Sequence, residues 1–167
     1  MSTATSESFH PGVGPATDPF LAYQSRRAAG SEWRAFLLAL LETLDANMDG
    51  GGRDALLRTV GARLGGSTPL RPAATLSELE GRMNEVLAGL GWGYLALHLD
   101  EADRSLRLVL RAAPCLPVAA DVAGAWLGTV LEGVFGAWLA AQQGGDAAAR
   151  VSLLQTVPGL MVFRYGS

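Results

Sequence analysis

The chain has 167 residues, of which 49% are hydrophobic and 17% charged, with a net charge of −3 and a pI near 5.3. This length and composition predict one compact domain and exclude a chain that is disordered throughout. The acidic balance argues against nucleic acid as a partner, and because all thirteen basic residues are arginine, lysine chemistry is excluded as well.

The first thirty residues predict a flexible tail, because they are rich in Ser, Thr, Pro and Gly. They contain neither the basic segment nor the apolar stretch of a secretory signal, so we expect a cytoplasmic protein. Residues 31–167 are predicted to form the single domain.

Two helices are predicted to follow the tail. The first begins at Ser31, where large apolar residues start to recur every three or four positions, and ends at three consecutive glycines, residues 50–52. The second spans residues 53–64 and is expected to stop at Gly65 and Gly66. The spacing predicts that the large apolar side chains of both helices face the core: Trp33, Phe36, Leu37, Leu40, Leu41, Leu44 and Met48 in the first, and Leu56, Leu57, Val60 and Leu64 in the second.

A third helix has the clearest start signal, because Thr75 and Glu78 form a capping box. Gly91 stands where a left-handed cap would end this helix. The period then changes from 3.6 to 2, and residues 92–99 and 106–111 predict an antiparallel hairpin. One face of the hairpin is apolar and is expected to contain Leu95, Leu97, Leu99, Leu106, Leu108 and Leu110.

Residues 123–143 predict a long central helix in which Glu132 is the only charge. Its apolar face carries Trp126, Val130, Val134 and Trp138 at helical spacing. A bilayer span is disfavoured, because the apolar residues favour insertion by about 3 kcal/mol and Glu132 opposes it by about the same amount. We therefore expect a second copy of the chain to cover part of this helix.

Gly124, Gly128 and Gly136 share another face of the central helix with Glu132. Each glycine costs about 1 kcal/mol relative to alanine within a helix, so close approach of another element is expected to offset that cost. We predict a subunit contact at these glycines.

The end of the chain predicts one or two strands. Residues 147–154 are ambiguous between helix and strand, whereas residues 160–165 predict a last strand after Pro158 and Gly159. Three helices, a hairpin, a long helix and terminal strands together predict an α+β fold in which the helices pack on a small antiparallel sheet.

Few residues suggest chemistry. His10, His98 and Cys115 lie far apart in the sequence and offer no metal-ligand spacing, and a lone cysteine forms no intrachain disulfide. The glycine-rich segments lack the pattern of a phosphate loop, and no cofactor is expected.

Glu132 has two interpretations. In an apolar helix, a lone carboxylate can act as a general acid. Alternatively, it pairs with an arginine such as Arg107 or Arg111, or with one across a subunit contact. The second interpretation is favoured, since no further catalytic group can be named, and the chain therefore fits a binding or assembly protein better than an enzyme.

Several segments resemble, in order, the D subunit family of bacterial cellulose synthase complexes. They are the helix at residues 33–49, DALLRTVGARL at 54–64, LGWGYLALHL at 90–99, GAWLGTVLEGVFGAWLAAQQ at 124–143 and TVPGLMVFRY at 156–165. The resemblance implies a non-catalytic accessory subunit that assembles from dimers into an octameric ring. The ring would guide nascent β-1,4-glucan chains and promote crystalline cellulose assembly.

The resemblance also implies partners: the membrane cellulose synthase subunits and, in some bacteria, a proline-rich organiser protein. The tail before Ser31 is longer than the family's usual lead, and no position matches a glucan-contacting motif. Two alternatives stay open, namely a cytoplasmic scaffold that organises synthase complexes without contacting glucan, and an enzyme built around Glu132.

Overall fold

A computed structural model describes residues 31–118, 121, 123–145 and 148–167. Within these ranges the chain forms four helices and four strands, which confirms the predicted α+β class. They are α1 (Ser31–Asn47), α2 (Gly50–Ser67), α3 (Leu76–Leu90), β1 (Tyr94–Asp100), β2 (Ser105–Arg111), α4 (Ala125–Ala140), β3 (Arg150–Val157) and β4 (Leu160–Gly166). The predicted tail at residues 1–30, including His10, lies outside the described residues.

The strands form an antiparallel sheet in the order β1-β2-β4-β3. The predicted hairpin is confirmed, with Leu97 of β1 opposite Leu108 of β2. The ambiguous segment near residue 150 is strand β3, which pairs with β4 through contacts such as Leu153 opposite Phe163. Local periodicity could not decide this assignment, because the partner that fixes the extended conformation is another strand.

The core lies between one face of the sheet and the helices. Phe135 of α4 meets Phe163 of β4 edge to face, with ring centroids 5.3 Å apart, and both side chains are fully buried. Leu95 and Leu97 of β1 point into this core as predicted. Leu99 is 64% exposed, so the predicted apolar face of the hairpin is incomplete, since the described helices do not cover that end of β1.

The ends of α2 differ from the prediction. Asp49 caps the helix by accepting a hydrogen bond from the N–H of Gly52 at 2.6 Å, so residues 50–52 form the first turn of α2 instead of a break after α1. Nor do Gly65 and Gly66 stop the helix, which continues to Ser67. The expectation was wrong because Gly65 lies against α4, where tertiary packing outweighs its low helix propensity.

The predicted ends of α3 are confirmed. The Thr75 side chain accepts a hydrogen bond from the N–H of Glu78 at 3.2 Å, and the Glu78 carboxylate accepts one from the N–H of Ala74. Gly91 has a φ of +67° and forms the left-handed cap. α3 therefore begins and ends at signals that are local in the sequence.

Side chains of α3 occupy hydrogen-bonding groups along the outer edge of β1. Asn84 both donates to the carbonyl oxygen of Leu95 and accepts from its N–H, at 2.8 and 2.7 Å. Glu80 accepts from the N–H of Leu97 at 2.7 Å. Because unpaired backbone groups on an edge strand invite pairing with other chains, these contacts protect that edge of the sheet.

The turn between β1 and β2 predicts a measurable pKa shift. Asp103 accepts hydrogen bonds from the hydroxyl of Ser105 and from the guanidinium of Arg164, and these contacts, the first above all, lower the pKa of Asp103. The stability that they contribute is present above the pKa of the unfolded chain and is lost as the pH falls through the lower folded value. NMR titration should show this depressed pKa, and Ser105→Ala should raise it more than Arg164→Gln does. A wild-type Asp103 that titrates like a model peptide would contradict the assignment.

Candidate functional site

The backbones of α2 and α4 cross in direct contact at Gly61, Gly65 and Gly133. A β-carbon on Gly61 would overlap the carbonyl oxygen of Val130, and one on Gly133 would overlap that of Arg58. Glycine is needed at both positions because any side chain would push the helices apart. The sequence signal was available, since Gly61 and Gly65 are four residues apart and share one face of a helix, but it was interpreted as a helix end.

The glycines of the predicted subunit contact lie in different environments. Gly124 precedes α4 with a φ of +73°, and a β-carbon on Gly128 would come within 2.7 Å of the Leu153 side chain in β3. The expected close approach at Gly128 is thus made by a strand of the same chain. A β-carbon on Gly136 would have no described neighbour within 4 Å. A subunit contact at these glycines stays a prediction, and Gly136→Leu is its cleanest probe, because the described chain leaves space there.

Glu132 pairs with an arginine, but not with one that the sequence suggested. Its carboxylate accepts a hydrogen bond from Arg58 Nε of α2 at 2.6 Å and another from the N–H of Leu153 in β3 at 2.7 Å. Arg107, one of the predicted partners, instead pairs with Asp100 at 3.1 Å. Glu132 therefore joins α2, α4 and β3, which is a structural role, and Arg58 was missed because it is 74 residues away in the sequence.

Replacing Glu132 should separate these two contacts. Glu132→Ala should lower the free energy of unfolding by about 1–3 kcal/mol, since the N–H of Leu153 loses its acceptor. Glu132→Gln keeps an acceptor oxygen for that N–H and should cost about 1 kcal/mol or less, because the Arg58 side chain is half exposed. Urea denaturation measures both changes, and Glu42→Gln, on an exposed part of α1, is the control. Equal losses for the two Glu132 variants would contradict the role of the Leu153 contact.

An apolar groove of about 580 Å³ opens beside the α2–α4 crossing. It is lined by Leu37, Leu40, Leu41 and Leu44 of α1, Leu56, Leu57, Val60 and Leu64 of α2, Trp126, Leu127 and Val130 of α4, and the loop residues or helix ends Leu90, Trp92, Pro114 and Leu116. The indole N–H of Trp126 already donates to the carbonyl oxygen of Leu116 at 3.0 Å. Since the lining side chains carry no ionisable group, the groove suits apolar side chains rather than a metal ion or a reacting substrate.

The prediction that the whole apolar stripe of α1 faces the core is wrong. Leu41 is buried and Leu37 and Leu44 are partly so, but Trp33 is 63% and Phe36 57% exposed. Leu40 and Met48 are also exposed, as are Leu56 and Val60 of α2. Helical periodicity identified the apolar face correctly, but α1 packs on the domain along only one side of that face, mainly against α2.

The structure does not bring His98 and Cys115 together into a reactive pair. His98 is exposed on β1, whereas Cys115 is buried beside the start of α4, where its thiol contacts the carbonyl oxygen of Ala123 at 3.6 Å. Among the described residues, His, Cys, Asp and Glu side chains do not gather in groups of three or more that could hold a metal ion.

The sequence matches the family model for the D subunit of cellulose synthase over residues 19–166. The chain belongs to this cellulose synthase family. A cellulose synthase operon protein D of Komagataeibacter sucrofermentans is 32% identical over 143 residues, covering 82% of this chain and 92% of that protein. Another, from Komagataeibacter xylinus, is 35% identical over 113 residues, covering 68% of this chain and 72% of that protein.

Membership of this family connects the chain with cellulose synthesis and with the synthase complex. The matched region includes the helices that form the groove and begins twelve residues before α1. In the part of the chain that the structure describes, no helix, α4 included, has both the length and the hydropathy needed to cross a membrane.

Proposed function

We propose that this protein is a non-catalytic accessory subunit of a bacterial cellulose synthase complex. It assembles from dimers into an octameric ring that guides nascent β-1,4-glucan chains and promotes their assembly into crystalline cellulose. The observation that carries this proposal is the match to the D subunit of cellulose synthase over residues 19–166. The ring works in the cytoplasm beside the membrane synthase subunits and, in some bacteria, with a proline-rich organiser protein.

Two features of the site support an assembly role. The contacts of Glu132 with Arg58 and Leu153 give this carboxylate a function within the fold, which supports the proposal over an enzyme built around it. The exposed apolar surface of α1 and α2 supports oligomerisation, because monomeric proteins rarely leave large side chains uncovered in one patch.

A scaffold that organises synthase complexes without contacting glucan is the second candidate. It is favoured by the chemistry of the groove, whose lining is hydrocarbon apart from its tryptophans, whereas a sugar chain needs hydrogen-bonding partners for its hydroxyl groups. The two candidates differ in one observable, the binding of cello-oligosaccharides to the assembled protein.

Deletion of the gene in a cellulose-producing host tests the proposal. Glucan synthesis should continue, while the crystalline fraction, measured by X-ray diffraction of the secreted ribbon, should fall and recover on complementation. Complementation with Glu132→Gln should also restore it, because that residue has no catalytic step to perform. Unchanged ribbon crystallinity after deletion would overturn the proposal. An NMR titration of the assembly with cellohexaose that shows no binding would favour the scaffold instead.

A further inference from the structure

We infer that the outward apolar face of α1 and α2 is the contact through which two copies of this chain pair about a two-fold axis. This face consists of Trp33, Phe36, Leu40, Leu56 and Val60 and the mouth of the groove between the two helices. The inference rests on the oligomer of the proposed function and assigns the surface that joins a pair of its subunits.

The face is a continuous row on each helix. Trp33, Phe36 and Leu40 follow one another along α1 at spacings of three and four residues, and Leu56 and Val60 do so on α2. The α1 side chains are 63%, 57% and 42% exposed, and the α2 side chains 40% and 49%. Isolated exposed apolar residues are ordinary on a protein surface, but five on adjoining helices beside an apolar groove form the kind of patch that marks an interaction site.

One chain supplies both halves of a complementary contact. The rings of Trp33 and Phe36 pack against each other edge to face at 5.9 Å and form a projection next to the groove. A two-fold contact uses the same patch on both copies, so it requires a projection and a matching depression on one surface. Aromatic side chains bury about 150–250 Å² each, so covering these rings and the groove supplies a large share of the roughly 800 Å² per partner in a standard interface.

Charge favours placing α1 of one copy against α2 of the other. α1 carries three carboxylates, Glu32, Glu42 and Asp45, against one guanidinium, Arg34. α2 carries the reverse, with Arg53, Arg58 and Arg63 against Asp54. A two-fold axis makes this pairing of unlike charges twice, whereas laying α1 on α1 would bring like charges together. The apolar lining of the groove also argues against glucan as its occupant.

Arginine substitutions in the full-length chain test this surface. Leu40→Arg and Val60→Arg should each raise the dissociation constant of the dimer by about 30-fold or more, measured by sedimentation over a range of protein concentrations. Leu99→Arg is the matched control, because Leu99 is equally apolar and is exposed on β1, and its mass should match that of the wild type. Circular dichroism should show native secondary structure in all three, since each position is exposed within the chain.

Photo-cross-linking identifies the occupant directly. With p-benzoylphenylalanine in place of Phe36, we expect a covalent dimer whose cross-linked peptide lies between residues 33 and 64 of the second copy. Cross-links to residues 1–30, or an unchanged mass in both groove variants of an oligomeric wild type, would overturn the assigned surface and leave the proposed ring intact. A monomeric wild type would overturn the surface and the ring together.

Discussion

Replacing Gly61 with alanine should lower the free energy of unfolding by about 3 kcal/mol or more. The added methyl group would overlap the carbonyl oxygen of Val130, which belongs to the backbone of α4 and cannot rotate away. α2 and α4 would have to separate, and overpacking of this kind typically costs about 1–3 kcal/mol even where side chains can yield, so about 3 is a lower bound here. The effect should exceed by far the gain of about 1 kcal/mol that alanine brings within a helix.

The control is Gly136→Ala, on the solvent side of α4. A β-carbon at Gly136 would meet no described atom within 4 Å, so the same substitution should stabilise the protein by up to about 1 kcal/mol. Thermal unfolding should separate the two variants, with a midpoint lowered by roughly 10 °C for Gly61→Ala and unchanged or raised for Gly136→Ala. Similar shifts for both would show that helix propensity, and not the contact between backbones, determines the role of these glycines.

The parts of the fold that the sequence predicted depend on neighbouring residues. Thr75 with Glu78, and Gly91, begin and end α3 through hydrogen bonds and dihedral angles that span a few positions. The alternation in β1 and β2 is likewise local, and a short acidic turn brings the two strands together. Such signals predicted the order of elements because the physics that sets them acts over less than two turns of chain.

The parts that were missed depend on contacts between residues far apart in the chain. Residues 50–52 and Gly65 look like helix breakers until α4 is placed beside α2, where glycine at positions such as 61 and 65 lets the backbones touch. The partner of Glu132 is on another helix, and β3 is a strand because of β4. For α1, periodicity predicted which side chains share a face but not how much of that face its own chain covers, and the candidate site lies in that difference.

Two tryptophans that the sequence assigned alike to the core should respond in opposite ways to truncation. Trp138 is 1% exposed, packs 5.9 Å from Phe135 and donates its indole N–H to the carbonyl oxygen of Thr68 at 2.9 Å. Trp138→Ala should therefore cost about 3–5 kcal/mol of unfolding free energy, because it leaves a cavity between α2, α4 and the sheet. Trp33 is 63% exposed, and Trp33→Ala should change the stability of the isolated chain by less than about 0.5 kcal/mol.

Denaturation at several protein concentrations distinguishes the two losses. Association stabilises a folded chain by mass action, so a side chain that acts between copies matters only where copies associate. Trp138→Ala should lower the unfolding midpoint at every concentration, and Trp138→Phe should recover most of it because the ring still fills the site. Trp33→Ala should match the wild type at low concentration and fall below it as the wild type associates. A loss for Trp33→Ala that is independent of concentration would show that the ring stabilises its own chain, and would remove α1 from the candidate contact.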